Sequence, residues 1–222
     1  MNSIATLLAI TCMLLLGSSR LLVSIRMVAF QGVLLGLLPL FVADHIGVAA
    51  VLLMLTNIGL KSVLLPWLLT RALFESGTRR EIEPFIGFGA SILAGVLLLA
   101  VSGYIVNRLQ TTAQISSPFT LIAGFFMFFS GLFLLITRRK ALTQTLGFLV
   151  LENGVFATGL SLGSEFSVFV ELGILLDVFV GIFLMGIMLF HIDREFDHID
   201  ADRFNELSDL VVDVGDSEEA SE

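Results

Sequence analysis

The chain has 222 residues, of which 56% are hydrophobic and 14% charged, and it contains four prolines. A soluble domain of this length needs far more polar surface, so the composition excludes a water-soluble globular protein and indicates one built in a bilayer. The formal charge of -8 is unevenly spread: residues 193–222 hold twelve acids and two bases, a net of -10, which leaves +2 for the apolar part. An acidic tail of this kind repels anionic phospholipid and nucleic acid, and points to solvation or to a basic patch on a partner protein.

The first predicted helix covers 4–17. It has no basic flank on its N-terminal side and is followed by Arg20 and Arg26. A cleavable secretory signal has the opposite charge order, so this segment reads as a retained helix with its N-terminus outside. Further apolar runs predict helices over 27–43, 46–70, 84–106, 120–137, 142–162 and 168–192. The expected fold is all-α and polytopic, with seven transmembrane spans.

The distribution of positive charge supports that count. The inner connections and tail would hold Arg20, Arg26, Arg71, Arg79, Arg80, Arg138, Arg139, Lys140, Arg194 and Arg203, against Arg108 alone outside. Such a bias sets the N-terminus out and the C-terminus in, in the cytoplasmic membrane. Residues 1–76 then form an N-terminal three-helix unit, 77–116 a connecting fourth helix, 117–193 a second three-helix unit, and 194–222 an acidic cytoplasmic tail. Within the tail Phe196, Ile199, Phe204, Leu207, Leu210, Val211 and Val214 recur at helical spacing. Docking on a cytoplasmic partner and a frayed, solvated tail both remain open for this segment. From Gly215 onward the composition is that of a disordered chain.

Cys12 is the only cysteine and lies in the first apolar run. One thiol cannot ligate an iron–sulfur cluster or build a cysteine-rich metal site, so any redox chemistry connected with this chain belongs elsewhere. His191-Ile-Asp193 recurs as His198-Ile-Asp200, a spacing that a polar helix face explains without a metal.

The ionisable groups inside apolar runs carry the functional signal. Glu152 lies about 12 residues before the turn near Gly163 and Ser164, and Asp177 about 13 after it. At 1.5 Å per residue both would sit about 18 Å from that turn, near mid-bilayer and level with each other. A carboxyl group costs roughly 2.5 to 3.5 kcal/mol to insert there, so the expectation is functional, with proton handling the favoured role and interhelical hydrogen bonding the bland one. Gly173, Asp177 and Gly181 are spaced by four, which would let another helix approach the carboxyl-bearing face closely. Lys61 is the cation at comparable depth. Pro66, five residues on, removes a backbone hydrogen bond and is expected to kink or open the helix beside it. Lys61 then suits a proton relay or a counter-ion to a carboxylate, with snorkelling to the interface as the alternative. Glu171, near the outer start of the seventh span, is a candidate for proton uptake or release, or simply an interfacial acid.

A short internal echo accompanies these residues. Gln31-Gly32-Val33 resembles Asn153-Gly154-Val155, and Leu60-Lys61-Ser62-Val63 stands where Leu176-Asp177-Val178 stands later. A parallel repeat would place Lys61 and Asp177 in related positions, although similarity this short also arises by chance.

The stretch Leu146-Gly147-Phe148-Leu149-Val150-Leu151-Glu152-Asn153-Gly154, followed by Val170-Glu171-Leu172-Gly173-Ile174 and Asp177, resembles the hydrogenase-4 component E family. These are membrane subunits of energy-converting hydrogenases and formate hydrogenlyase-type complexes. Residues 119–193 are also similar to the K-type subunit of complex I and the C-type subunit of multisubunit sodium/proton antiporters, with Glu152 and Asp177 matching their intramembrane glutamates. The resemblance implies a non-catalytic membrane-arm subunit that holds no cofactor. Its partners would be antiporter-like membrane subunits and a cytoplasmic redox arm carrying iron–sulfur clusters and a nickel–iron centre. A structural scaffold for partner subunits, or a free-standing transporter, are the competing expectations.

Overall fold

Each long apolar run that the structure describes is helical, because a peptide group in hydrocarbon has no water to bond and must find its partner within its own segment. The computed structural model describes residues 2–42, 51, 55, 58–75, 86–110, 117–162, 180–182 and 186. These form α1 (Asn2–Gly17), α2 (Leu21–Val42), a π-helical turn (Ile58–Leu64) that runs into α3 (Leu65–Glu75), α4 (Phe88–Leu109), α5 (Pro118–Thr137) and α6 (Ala141–Leu162). The described residues include no strand. Four helical segments are long and apolar enough to cross a membrane: Leu21–Leu38, Phe88–Leu109, Pro118–Thr137 and Ala141–Leu162; Asn2–Gly17 is apolar but shorter. Of the expected seventh span, residues 180–182 and 186 are described and are helical. The chain divides into two units, Met1–Leu184 and Met185–Glu222, and everything that follows concerns the first.

The patterning is inverted relative to a soluble bundle. On α4 the buried face carries Ser91, Gly95, Ser102 and Val106, while Leu93, Leu97 and Tyr104 are exposed. Small and weakly polar residues turn inward because they allow close helix approach, and large apolar residues turn outward because lipid covers them at no cost.

The contacts give the helix directions. Gly17 and Leu16, at the end of α1, pack on Ile92 and Gly95 near the start of α4, so these two helices are antiparallel. Gly32 faces Lys61 and Ser62 while Gly36 faces Ile58, which sets α2 antiparallel to the π-helical turn. A three-residue break at Arg138-Arg139-Lys140 returns the chain from α5 into α6. Arg138 holds one end of the bundle together. Its guanidinium is only 1% exposed, donates from Nη2 to the Leu16 carbonyl at 3.0 Å, and lies 4.7 Å from the centre of the Phe88 ring. A cation on the last carbonyls of α1 complements the helix dipole while it lies over the ring of Phe88, the first residue of α4.

The most extensive packing joins α5 to α6. It is a seam of four glycines, spaced by seven on each helix. A Cβ on Gly131 would lie 2.6 Å from the Gly147 carbonyl oxygen, and one on Gly147 would lie 3.0 Å from the Gly131 carbonyl oxygen. Gly124 and Gly154 repeat this reciprocity, with a Cβ on Gly154 2.7 Å from the Gly124 carbonyl oxygen and one on Gly124 3.1 Å from the Gly154 carbonyl oxygen. The obstruction is backbone, which cannot swing aside. The close approach expected at Gly173 and Gly181 concerns a span of which residues 180–182 and 186 are described. Along α5 and α6, glycines on both partners remove the obstruction from both sides.

Gly131→Val should therefore force α5 and α6 apart and lower stability by about 1–3 kcal/mol, the usual range for overpacking. Gly103→Ala, on α4 where a Cβ would meet no described residue within 4 Å, should be neutral or stabilising by up to about 1 kcal/mol. Thermal unfolding of the purified chain in detergent compares the two. Arg138→Met should cost about 1.5–3 kcal/mol in the same assay, because it removes a charged hydrogen bond in a buried setting.

Candidate functional site

The site forms where the π-helical turn meets α6. The helix opens over Ile58–Leu64 and returns to α-helical form at Leu65, with Pro66 buried in the next turn. Lys61 thus lies in a π-helical turn that ends two residues before Pro66. One residue more per turn changes the direction in which the following side chains point, and such turns are frequent at functional sites.

Lys61 points inward from this turn and is 5% exposed. Its Nζ lies 2.5 Å from Glu152 Oε1, on an α6 side chain of which 0% is accessible. It also lies 5.6 Å from the centre of the Phe156 ring. Glu152 and Phe156 are four residues apart, so they share one face of α6 and present a carboxylate and an aromatic face to the same ammonium. On its other side the Lys61 stem packs against α2, where a Cβ on Gly32 would lie 3.1 Å from Lys61 Cβ. Lys61 is therefore a counter-ion to a carboxylate and does not snorkel, because Gly32 lets the turn sit close to α2 and the carboxylate draws the ammonium into the bundle. Of the expected pathway residues, Lys61 and Glu152 are brought together. Asp177 and Glu171 lie outside the described residues, as does Gly173.

A second polar group lies on α1 and α2. Gln31 is 0% exposed and donates from Nε2 to Thr11 Oγ1 at 3.1 Å, and Thr11 donates in turn to the Leu8 carbonyl at 2.9 Å. Asn153, next to Glu152, is 2% exposed. The glycines of the internal echo face different neighbours: Gly32 faces the π-helical turn, whereas Gly154 faces Gly124 and Phe128 of α5. Sequence reasoning passed over Phe156 and Thr11 as parts of the site. The spacing of Phe156 from Glu152 was a usable signal for the first, but nothing in an apolar helix distinguishes Thr11. Among the described residues no three His, Cys, Asp or Glu side chains gather into a metal site.

Both ions depend on each other. Removing either from a buried pair leaves the other uncompensated, whereas replacing both with apolar groups of similar volume is often neutral or better.

Helices long and apolar enough to cross a bilayer, packed by glycine around a buried ion pair, define a helical protein of the membrane class. The chain is 32% identical over 192 residues to the uncharacterized protein Rv0085 of Mycobacterium tuberculosis (strain ATCC 25618 / H37Rv), an alignment that covers 83% of this chain and 85% of that protein. It belongs to the family of that protein. No protein-family model matches the chain. No solved structure matches it either.

Lys61→Met or Glu152→Met alone should lower stability by about 3–5 kcal/mol, and the double variant Lys61→Met/Glu152→Met should recover most of that loss. Thermal midpoints of the three variants in one detergent read the coupling; additive losses would mean the two side chains do not act as a pair.

Proposed function

We propose that the chain is a membrane-arm subunit of a complex I-like, hydrogenase-related, redox-driven ion pump, and that the Lys61–Glu152 pair is part of its proton-translocation pathway. The observation that carries this reading is the ion pair itself: a lysine and a glutamate in direct contact, out of reach of solvent, among helices of the length and apolarity that cross a bilayer. Ionisable groups so placed are costly and mark ion or proton pathways. Movement that parts Lys61 from Glu152 separates two opposite charges inside the bundle, so a conformational change in a partner subunit can be coupled to ion movement. The π-helical turn gives Lys61 a place where such movement is inexpensive, because its backbone pairing is already displaced from the α-helical register.

The resemblance of residues 146–154 to hydrogenase-4 component E supports the assignment to this class of complex. In this reading the chain crosses the cytoplasmic membrane seven times, N-terminus out and C-terminus in, and Asp177 and Glu171 extend the path. It performs no catalysis itself. Its partners are antiporter-like membrane subunits and a cytoplasmic redox arm that carries the iron–sulfur clusters and nickel–iron centre.

The double variant Lys61→Met/Glu152→Met tests this reading, since it removes the charges while retaining the packing. The complex containing it should assemble in normal yield yet lose redox-coupled ion movement in sealed vesicles. Full ion movement in the assembled variant would defeat the proposal and leave the chain as a scaffold. Reporter fusions at Arg79 and Arg139 should report the cytoplasm, and a fusion at Arg108 the outside.

A further inference from the structure

Three exposed arginines, Arg20, Arg26 and Arg71, come to one level where α2 begins and α3 ends. Gly32 lies opposite Lys61 and Ser62, and Gly36 opposite Ile58, in an antiparallel pair that continues as α3 packs along α2. Carried on to the ends of the two helices, this register sets Arg71 level with Val23. Arg20 and Arg26 stand three residues to either side, each within about 5 Å of Arg71 along the axis. Glu75 is the one acid among the described residues at this end. Arg138, near the same end, is buried and turned onto the Leu16 carbonyl, whereas these three arginines face outward.

Both helices place an exposed aromatic ring one turn deeper than an arginine. On α3, Trp67 is 55% exposed, and the Arg71 guanidinium carbon lies 5.9 Å from the centre of its ring. On α2, Phe30 is exposed four residues after Arg26. Because the helices are antiparallel, both rings lie on the inner side of their arginines along the axis. Exposed Leu64 and Val63 carry the apolar surface further in. A cation at the rim, a ring that suits the boundary between water and hydrocarbon, and aliphatic side chains beyond it repeat the order of parts in a phospholipid: phosphate, glycerol ester and acyl chain. The charge selects the headgroup. A guanidinium fits phosphate oxygens in pairs, and a headgroup carrying its own ammonium would bring that cation against the remaining arginines.

We propose that the outer surface of α2 and α3 retains phospholipids of net negative headgroup, with the phosphate at the level of Arg20, Arg26 and Arg71 and an acyl chain along Trp67, Leu64 and Val63. This surface is separate from the buried Lys61–Glu152 pair and does not depend on the ion-pump reading.

Trp67 is the only tryptophan in the chain, so its fluorescence reports this surface alone. The full chain, which keeps the acids of residues 193–222 in the measurement, is reconstituted into vesicles of equal parts phosphatidylglycerol and phosphatidylcholine, with one of the two brominated on its acyl chains. Brominated phosphatidylglycerol should quench Trp67 more strongly than brominated phosphatidylcholine, with a preference of about fivefold for each arginine engaged. The preference should fall as ionic strength rises and in Arg26→Gln/Arg71→Gln, and stay unchanged in Arg108→Gln at the opposite end. Equal quenching by the two lipids, a preference that survives the double substitution or high salt, or its loss in Arg108→Gln overturns the proposal. Absence of quenching by either lipid also overturns it, since Trp67 would then be covered by protein.

Discussion

Lys61 and Glu152 are each untenable alone where they sit. An ammonium or a carboxylate removed from water needs an opposite charge in contact, and here the two occupy different helical segments, so the pair can exist only when the π-helical turn and α6 are already in place. Much of the surrounding geometry serves that contact. Gly32 lets the turn sit close against α2, Phe156 presents its ring to the ammonium, and the π-helical register sets the direction of the lysine. The pair in turn ties the N-terminal helices to the α5–α6 hairpin, because it is a charge contact between those two parts of the bundle.

Inside a bilayer, burial of apolar surface gives no net drive for helices to associate, since lipid is as apolar as leucine. The bundle relies instead on close backbone approach and on a few polar contacts that have no competing water. The Gly124, Gly131, Gly147 and Gly154 seam provides the first. Arg138 on the Leu16 carbonyl, Gln31 on Thr11, and Lys61 on Glu152 provide the second. These contacts lie in different parts of the bundle, and together they connect α1, α2, the π-helical turn, α5 and α6. A polar contact of this sort orders the helices and keeps ionisable groups inside the bundle.

Much of the helical layout was legible in the chain, because long apolar runs have few alternatives to helix. The expected helices over 4–17, 27–43, 84–106, 120–137 and 142–162 each overlap a described helix, with ends within four residues except that α2 begins at Leu21, six residues earlier than expected. The expected single helix over 46–70 was too simple, since the chain passes through a π-helical turn and continues to Glu75. Of the site, the individual members were visible as costly residues, but their pairing was not. Lys61 and Glu152 are far apart in sequence, and depth estimates linked Glu152 to Asp177. Arg138, counted among the charges of a connection, proved to be buried.

Composition and patterning by themselves determined that this is a helical chain suited to a bilayer, and that a small number of ionisable groups within its apolar runs need an explanation, because the insertion cost of each is set by the residue type alone. Tertiary structure decided which charges meet and which glycines face a neighbour's backbone. Those are properties of how two helices are rotated and spaced relative to one another, a relation between segments that no single apolar run contains.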